Sequence, residues 1–351
     1  MKAPPCAIIS ACLGRRVVHP ERMGAPRSLH RRSILAIGAL ATVPTVARGQ
    51  TELPDRTLRI VVGFSAGGGS DGMARLIATA LERRTGRRVT VENRPGGTGA
   101  AAGEALKFGA PDGSMVAFMP TPSMVAKLFT PAYPFDPATD LAPITTAGTF
   151  IDGLAVPTSL GITTVADYVQ WLKAGEPGRN RLGATASDAS LKFYVGLFSR
   201  EFGVRLEGVP FRGTSALIND MADGKVPAGV AGLTSFLVAH RANRIRILAT
   251  SGSKRVAIAP DLPTAAEAGY PGLTMEEWYG FYARAGTPEP TVDAWNRALV
   301  AVLESREIKD QLGQLGLDVE TSTPAACAER LAAHMKKWQA SLEALGMKPV
   351  N

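Results

Sequence analysis

A chain of 351 residues with 39 Lys+Arg against 31 Asp+Glu has room for one large domain or two modest ones. Its formal charge of +8 is concentrated at the front, where residues 1–49 hold eight Lys/Arg and one acid, a net of +7, and leave +1 for the rest. In a body so close to neutral, nucleic-acid binding, which needs a basic face, loses its main support. With Cys327 as the only cysteine beyond the head, it can build neither a disulfide nor a cysteine-rich metal site.

The basic head reads as an export signal. Arg31-Arg32 precede an apolar run from Ile34 to Val46, and small residues suited to cleavage follow near Gly49. The arginine pair points to the twin-arginine route, and Met23 is an alternative start. The run is too short for a membrane anchor and contains Pro44. The competing lipoprotein reading, at Cys12, has a poor apolar run behind it.

Beyond the head, strand and helix signals alternate. Leu58 to Phe64 predicts a strand and Ser70 to Arg84 a helix with Met73, Leu76, Ile77, Ala80 and Leu81 on one face. Arg88 to Glu92 alternates as a second strand, "NRPGGTG" opens an alanine-rich helix, and Met115 to Met119 is a third strand after the turn "PDG". This βαβαβ order is the signature of a parallel sheet covered on both faces. A second run follows, with helices at 165–174, 190–202, 214–222 and 236–242 and strands at 181–185, 206–211, 226–231 and 245–250. The tail is helical over 290–303 and 324–345. Without a long linker between the runs, two α/β units joined by crossing strands are expected.

The stretch "VVGFSAGGGSDGMARL" admits three readings. Gly67, Gly69 and Gly72 spell the dinucleotide fingerprint G-x-G-x-x-G, and Glu92 ends the next strand where a ribose-binding acid would sit. An exported protein, however, has no ready supply of nicotinamide. Gly68, Ser70 and Gly72 spell the G-x-S-x-G elbow of a serine esterase, but His240 and His334 satisfy the required order only formally, and no HGGG-type segment precedes Ser70. The third reading asks least. A glycine turn running into a helix N-terminus presents backbone N–H groups to an anion. Since no lysine follows the glycines as in a phosphate loop, a carboxylate is favoured over a nucleotide. Asp71, in the first turn, also suits helix capping.

These motifs resemble a known family. "LRIVVGFSAGGGSDGMAR", "VTVENRPGGTG", "APDGSMV", "VPFRGTSALINDMADGKV", "LPTAAEAGYPG" and "WYGFYARAGTP" occur in the order seen in the Bug receptors, the extracytoplasmic substrate-binding proteins of tripartite tricarboxylate transporters, from about Pro54 to the C-terminus. The resemblance implies an α/β class II periplasmic-binding-protein fold, with two α/β lobes closing on a small carboxylate. It also implies a periplasmic, non-enzymatic monomer without cofactor or metal, and a membrane permease as partner. The lobes are expected at residues 53–156 plus 276–351 and at 157–275, with crossings near "IDGLAVP" and "EEWYGFYARAG". Carried over residue by residue, the ligand-binding set is Phe64, Ser65, Ala66, Gly67, Gly68 and Asp71 in the first loop, with Thr121 and Ser123 in the same lobe. The second lobe contributes Thr185, Ala186 and Ser187, then Arg212, Gly213 and Thr214.

The chain departs from the family pattern in its second lobe. A loop usually rich in Ser and Gly reads "ATASDAS", the usual histidine after it is replaced by Lys192, and the usual Tyr-Lys is Phe211-Arg212. Asp188 suits a helix cap, or an ammonium group if it faces the cleft. These changes bear on the ligand more than on the fold.

Overall fold

The computed structural model describes residues 53–185, 188–211 and 213–347, with the backbone alone at 188–190. The predicted export segment, Ala186, Ser187, Arg212 and the side chain of Asp188 therefore lie outside the described residues.

The first sheet opens with β1 (Leu58–Val62), followed by α1 (Gly69–Thr85), β2 (Val89–Asn93), a 3-10 turn at Gly97–Gly99 and α2 (Ala100–Lys107). Next come β3 (Met115–Pro120), the short α3 (Thr121–Val125) and β4 (Leu141–Phe150). The chain then enters the second sheet through β5 (Asp152–Pro157), α4 (Val165–Lys173), β6 (Arg181–Ala184), α5 (Asp188–Phe202) and β7 (Glu207–Pro210). This half closes with α6 (Thr214–Ala222), β8 (Ala228–Gly232), α7 (Leu233–Arg241) and β9 (Ile245–Thr250). The chain returns in β10 (Glu277–Arg284) and ends with α8 (Glu289–Leu303), α9 (Arg306–Gln314) and α10 (Pro324–Ala344).

The strand orders are β2-β1-β3-β10-β4 and β7-β6-β8-β5-β9. In each sheet three parallel strands are followed by an antiparallel one, and that strand is the one entering from the other sheet. Both sheets thus point the carboxyl ends of their parallel strands at loops that can carry a ligand.

Alternation in the strands feeds two cores on either face of the first sheet. Val116 and Phe118 pack with Met73, Ile77, Trp295 and Leu299 of α1 and α8. Ala117 and Met119 pack with Leu106, Trp278, Tyr282, Cys327 and Leu331 on the other side. Trp295 adds a hydrogen bond from Nε1 to the carbonyl of Gly113, 2.7 Å, tying α8 to the turn before β3. In the second sheet, Leu154 and Val156 face Tyr168, Phe193 and Phe202, while Ala155 faces Leu217, Met221 and Phe236. The capping box at Thr164 and Asp167 starts α4.

Two boundaries differ from the sequence expectation. The Asp152–Pro157 strand, placed there at the end of the first lobe, hydrogen-bonds to β8 and β9, so the chain crosses at Ile151. The tail, expected wholly on the first lobe, is divided. Cys327 and Leu331 join the first sheet's core, whereas Trp338 and Leu342 join Phe193 and Leu197 under the second. Twenty-one residues of helix are long enough to reach both. No helix among the described residues is long and apolar enough to cross a membrane.

The loops at the top of the first sheet meet backbone to backbone. A Cβ on Gly63 would lie 2.4 Å from both the Cα and the carbonyl oxygen of Gly99, while one on Gly72 would meet nothing within 4 Å. Gly63→Ala is expected to cost about 3 kcal/mol or more in urea denaturation, at the upper end of overpacking. Gly72→Ala, in an exposed helical position, is expected to gain about 0.5–1 kcal/mol.

Candidate functional site

The first loop owes its shape to Asp71. Its carboxylate turns back from the first turn of α1 and accepts from Gly67 N (2.8 Å), Arg75 Nε (3.0 Å) and Asn93 Nδ2 (2.9 Å). Asn93 Nδ2 also donates to the carbonyl of Phe64, 3.1 Å, so the end of β2 clamps the loop from the side. The Arg75 guanidinium, with the Gly67 amide and Asn93, outweighs the burial of Asp71 and lowers its pKa to about 2. Gly67 sits at φ 81, where a side chain would be strained.

This wiring revises the expected role of the loop. Asp71, only 4% exposed and engaged on all sides, organises the turn and is not available to a ligand. The amides of Gly67 and Gly68 are also engaged, the second with the carbonyl of Ser65 at 3.3 Å, so they do not face an anion as free donors. What the loop offers is the exposed surface of Ser65, Ala66 and the glycines, at the start of α1. Asp71→Ala should therefore loosen the loop without removing a ligand contact. Thermal and chemical denaturation should register a loss of about 1–3 kcal/mol, the scale of unpairing a buried hydrogen-bonded charge.

Thr121 and Ser123 are likewise internal. Thr121, fully buried, donates to Glu277 Oε2 and accepts from Trp278 N (3.1 Å), joining α3 to the start of β10. Ser123 donates to the carbonyl of Thr98, 2.7 Å, and holds the second glycine turn, in which Thr98 sits at φ 58. Both residues position the cleft from behind.

Two other sequence readings lose their footing. Ser70 Oγ lies 2.7 Å from Tyr279 OH, and Ser70 is 9% exposed, which is not the presentation of an elbow nucleophile. His334 Nε2 lies 3.3 Å from Glu277 Oε2, and His240 Nδ1 accepts from Ile247 N at 3.4 Å, so neither histidine serves Ser70. In the dinucleotide fingerprint the last glycine permits close helix–strand packing, but Gly72 faces solvent. Glu92 is engaged with Arg94 at 2.7 Å and Arg59 at 3.6 Å.

Between the sheets lies a cavity of about 250 Å³. The first lobe supplies Thr98, Pro122, Val125 and Phe150, and the second supplies Asp152, Thr185, Tyr194 and the Val230–Gly232 strand end. Trp338 of α10 closes one side, packed at 4.2 Å between ring centroids on Phe193. Of the predicted set, Thr185 lines this cavity, and Gly213 and Thr214 are half-buried at the start of α6. The sequence reading missed Thr98, Phe150, Asp152, Tyr194 and Trp338. An acid inside the apolar strand "FIDGLAVP" was a legible signal for Asp152. Trp338 and Tyr194 are ordinary helix residues until α10 and α5 are packed together.

Asp152 dominates the electrostatics. Burial, then the neighbouring Glu277 carboxylate, pushes its pKa up to about 7. Burial, then Asp152 and Glu277, holds the Tyr194 hydroxyl well above its ordinary value. No lysine or arginine is among the described residues lining the cavity, and no metal-binding cluster occurs among the described residues.

The model of the tripartite tricarboxylate transporter family receptor matches residues 73–347. The chain belongs to this family. Among similar proteins of the family, one from the tcbD-tcbE intergenic region of Pseudomonas sp. (strain P51) is 28% identical over 327 residues, 92% of this chain and 96% of that one. The structure of R. palustris Rpa4515 with adipate superposes with a TM-score of 0.75 at 29% identity, covering 85% of this chain and 99% of that one. The periplasmic binding protein BugD gives a TM-score of 0.73 at 25% identity, covering 84% and 99%. The fold is thus that of the two-lobed periplasmic binding proteins, and the receptor reading of the six motifs holds.

An acid without a hydrogen-bond or ion-pair partner among the described residues has a measurable cost. Asp152 keeps its proton more tightly in the fold than at the ordinary value of 3.8, so its contribution favours folding most below that pH. Stability is then lost as pH rises toward about 7, where the fold must carry the charge. Asp152→Asn should therefore stabilise the protein by about 2–4 kcal/mol at pH near 8 and change little at pH near 4, as read by urea denaturation at both.

Proposed function

We propose that the protein is an exported receptor that captures a small organic carboxylate between its lobes and delivers it to a membrane permease. The observation that carries the reading is the cavity of about 250 Å³ lined by residues of both lobes. Its volume suits a ligand of a few carbon atoms with polar ends. The similarity to R. palustris Rpa4515, whose structure contains adipate, supports an acid of that size.

The lobes in this reading are residues 53–151 with most of 276–347, and 152–275 with the end of α10. The head, residues 1–49, is removed on export to the periplasm. Ser65 and Ala66 on one side, and Thr185, Ala186, Ser187, Gly213 and Thr214 on the other, meet the ligand at the cleft. Arg212, next to Gly213 in the sequence, supplies in this reading the full positive charge that the described lining residues lack, complementing the partial charge at the start of α1.

Calorimetry of the processed protein with dicarboxylates, tricarboxylates, aromatic acids and amino acids tests this. At least one acid should bind, and Arg212→Ala should weaken it by about 1.5–3 kcal/mol, the scale of a charge-assisted hydrogen bond. Unchanged affinity in that variant would make Arg212 a surface charge. Robust ester hydrolysis that disappears in Ser70→Ala would overturn the receptor reading.

A further inference from the structure

Asp152 is held in place by its backbone. Its N–H donates to Ser251 Oγ, 3.0 Å, and its carbonyl accepts from Ser251 N, 2.9 Å, so the first residue of β5 is pinned to the end of β9. The side chain lines the cleft cavity, and among the described residues no hydrogen bond or ion pair reaches its carboxylate. The other acids of the interior are treated differently. Asp71 accepts from three side-chain or backbone donors, and Glu277 accepts from Thr121 through Oε2, which also lies 3.3 Å from His334 Nε2, while its Oε1 has no hydrogen-bond partner among the described residues. Asp152 faces Glu277, which repels its charge.

A half-buried carboxylate left this way is costly to ionise, because it is partly withdrawn from water and none of the described lining residues compensates it. Three aromatic residues share the cavity with it, Phe150, Tyr194 and Trp338. Aromatic rings and an acid around one small space form a chemical environment that favours an organic cation, since ring faces attract cations within roughly 6 Å. A plain dicarboxylate would bring a second negative charge against Asp152. A ligand with an ammonium group would neutralise it and use the rings.

We propose that the ligand is a carboxylate that also bears an ammonium group, and that Asp152 is the residue that selects for it. The proposal rests on the receptor reading above and narrows it. The ammonium end of the zwitterion meets Asp152 and the three rings, and its carboxylate is held as in the receptor reading.

Matched pairs that differ by the amine alone test it: aspartate with succinate, glutamate with glutarate, and phenylalanine with hydrocinnamate, titrated calorimetrically into wild type and Asp152→Asn at pH near 8. In at least one pair the amino acid should bind wild type more tightly. Asp152→Asn should weaken that amino acid by about 10- to 100-fold, the equivalent of one charge-assisted hydrogen bond. The amine-free partner should hold its affinity within about threefold, or improve, which also shows that the variant is folded. A preference that survives Asp152→Asn, or an equal loss for both partners, overturns the assignment. So does tighter binding of the amine-free acids to wild type, or binding of malate as tight as that of aspartate, which would make a hydroxyl sufficient. Those outcomes leave the receptor reading intact. Failure of all the acids to bind wild type would bring down both.

Discussion

The architecture of the cleft depends on one close approach, Gly63 against Gly99, with the backbones too near for a single methyl group. Gly99 is confined further, because a Cβ there would lie 2.4 Å from Ser123 Oγ and 3.1 Å from the Phe64 ring. Three segments that leave the sheet at different strand ends are therefore compressed into one point. The exit of β1, the second glycine turn and α3 cannot move separately. Asp71 and Asn93 complete the arrangement from the far side of the first loop. The lobe presents a preshaped wall, and little ordering remains to be done when a ligand arrives.

The two sheets repeat a topology without repeating a sequence. Each receives its antiparallel strand from the other, so the crossings at Ile151 and just before Glu277 tie the two sheets together. The link is reinforced by Met275 N donating to the carbonyl of Ser251, 2.8 Å. Along its free edge β4 is covered by residues 318–322, through the paired bonds of Thr149 with Asp318 and of Thr145 and Thr146 with Ser322 and Glu320. That segment satisfies an edge which would otherwise invite pairing with another chain.

Much of this was legible in the sequence for a physical reason. Amphipathic helices and short apolar strands announce themselves through periodicity, as α1, α6 and β3 do. The six ordered motifs added the two-lobed plan. Single loop residues were less readable, because a motif does not reveal which way a side chain turns. Asp71, Thr121 and Ser123 are polar residues in the first turns of helices that follow strands, the usual mark of a binding site, yet their hydrogen bonds run inward. Trp338 presents the reverse case. Its place in the cavity depends on a helix whose first residue lies 74 positions past the end of β9, a contact that no local pattern encodes.

The division of α10 between the two cores has an optical consequence. Trp338 belongs to a helix rooted in the first lobe, yet it packs at a tilt of 35° against Phe193 of the second and lines the space between them. An indole in that position experiences a change of surroundings whenever the lobes rearrange, and its emission would shift accordingly. Trp171 lies at a distance under the Arg179 guanidinium, 4.6 Å from its ring centroid, and Trp278 and Trp295 are sealed in the first lobe. Were the lobes to close on a ligand, Trp338 would serve as a fluorescent gauge of that closure, with three steadier indoles as an internal reference.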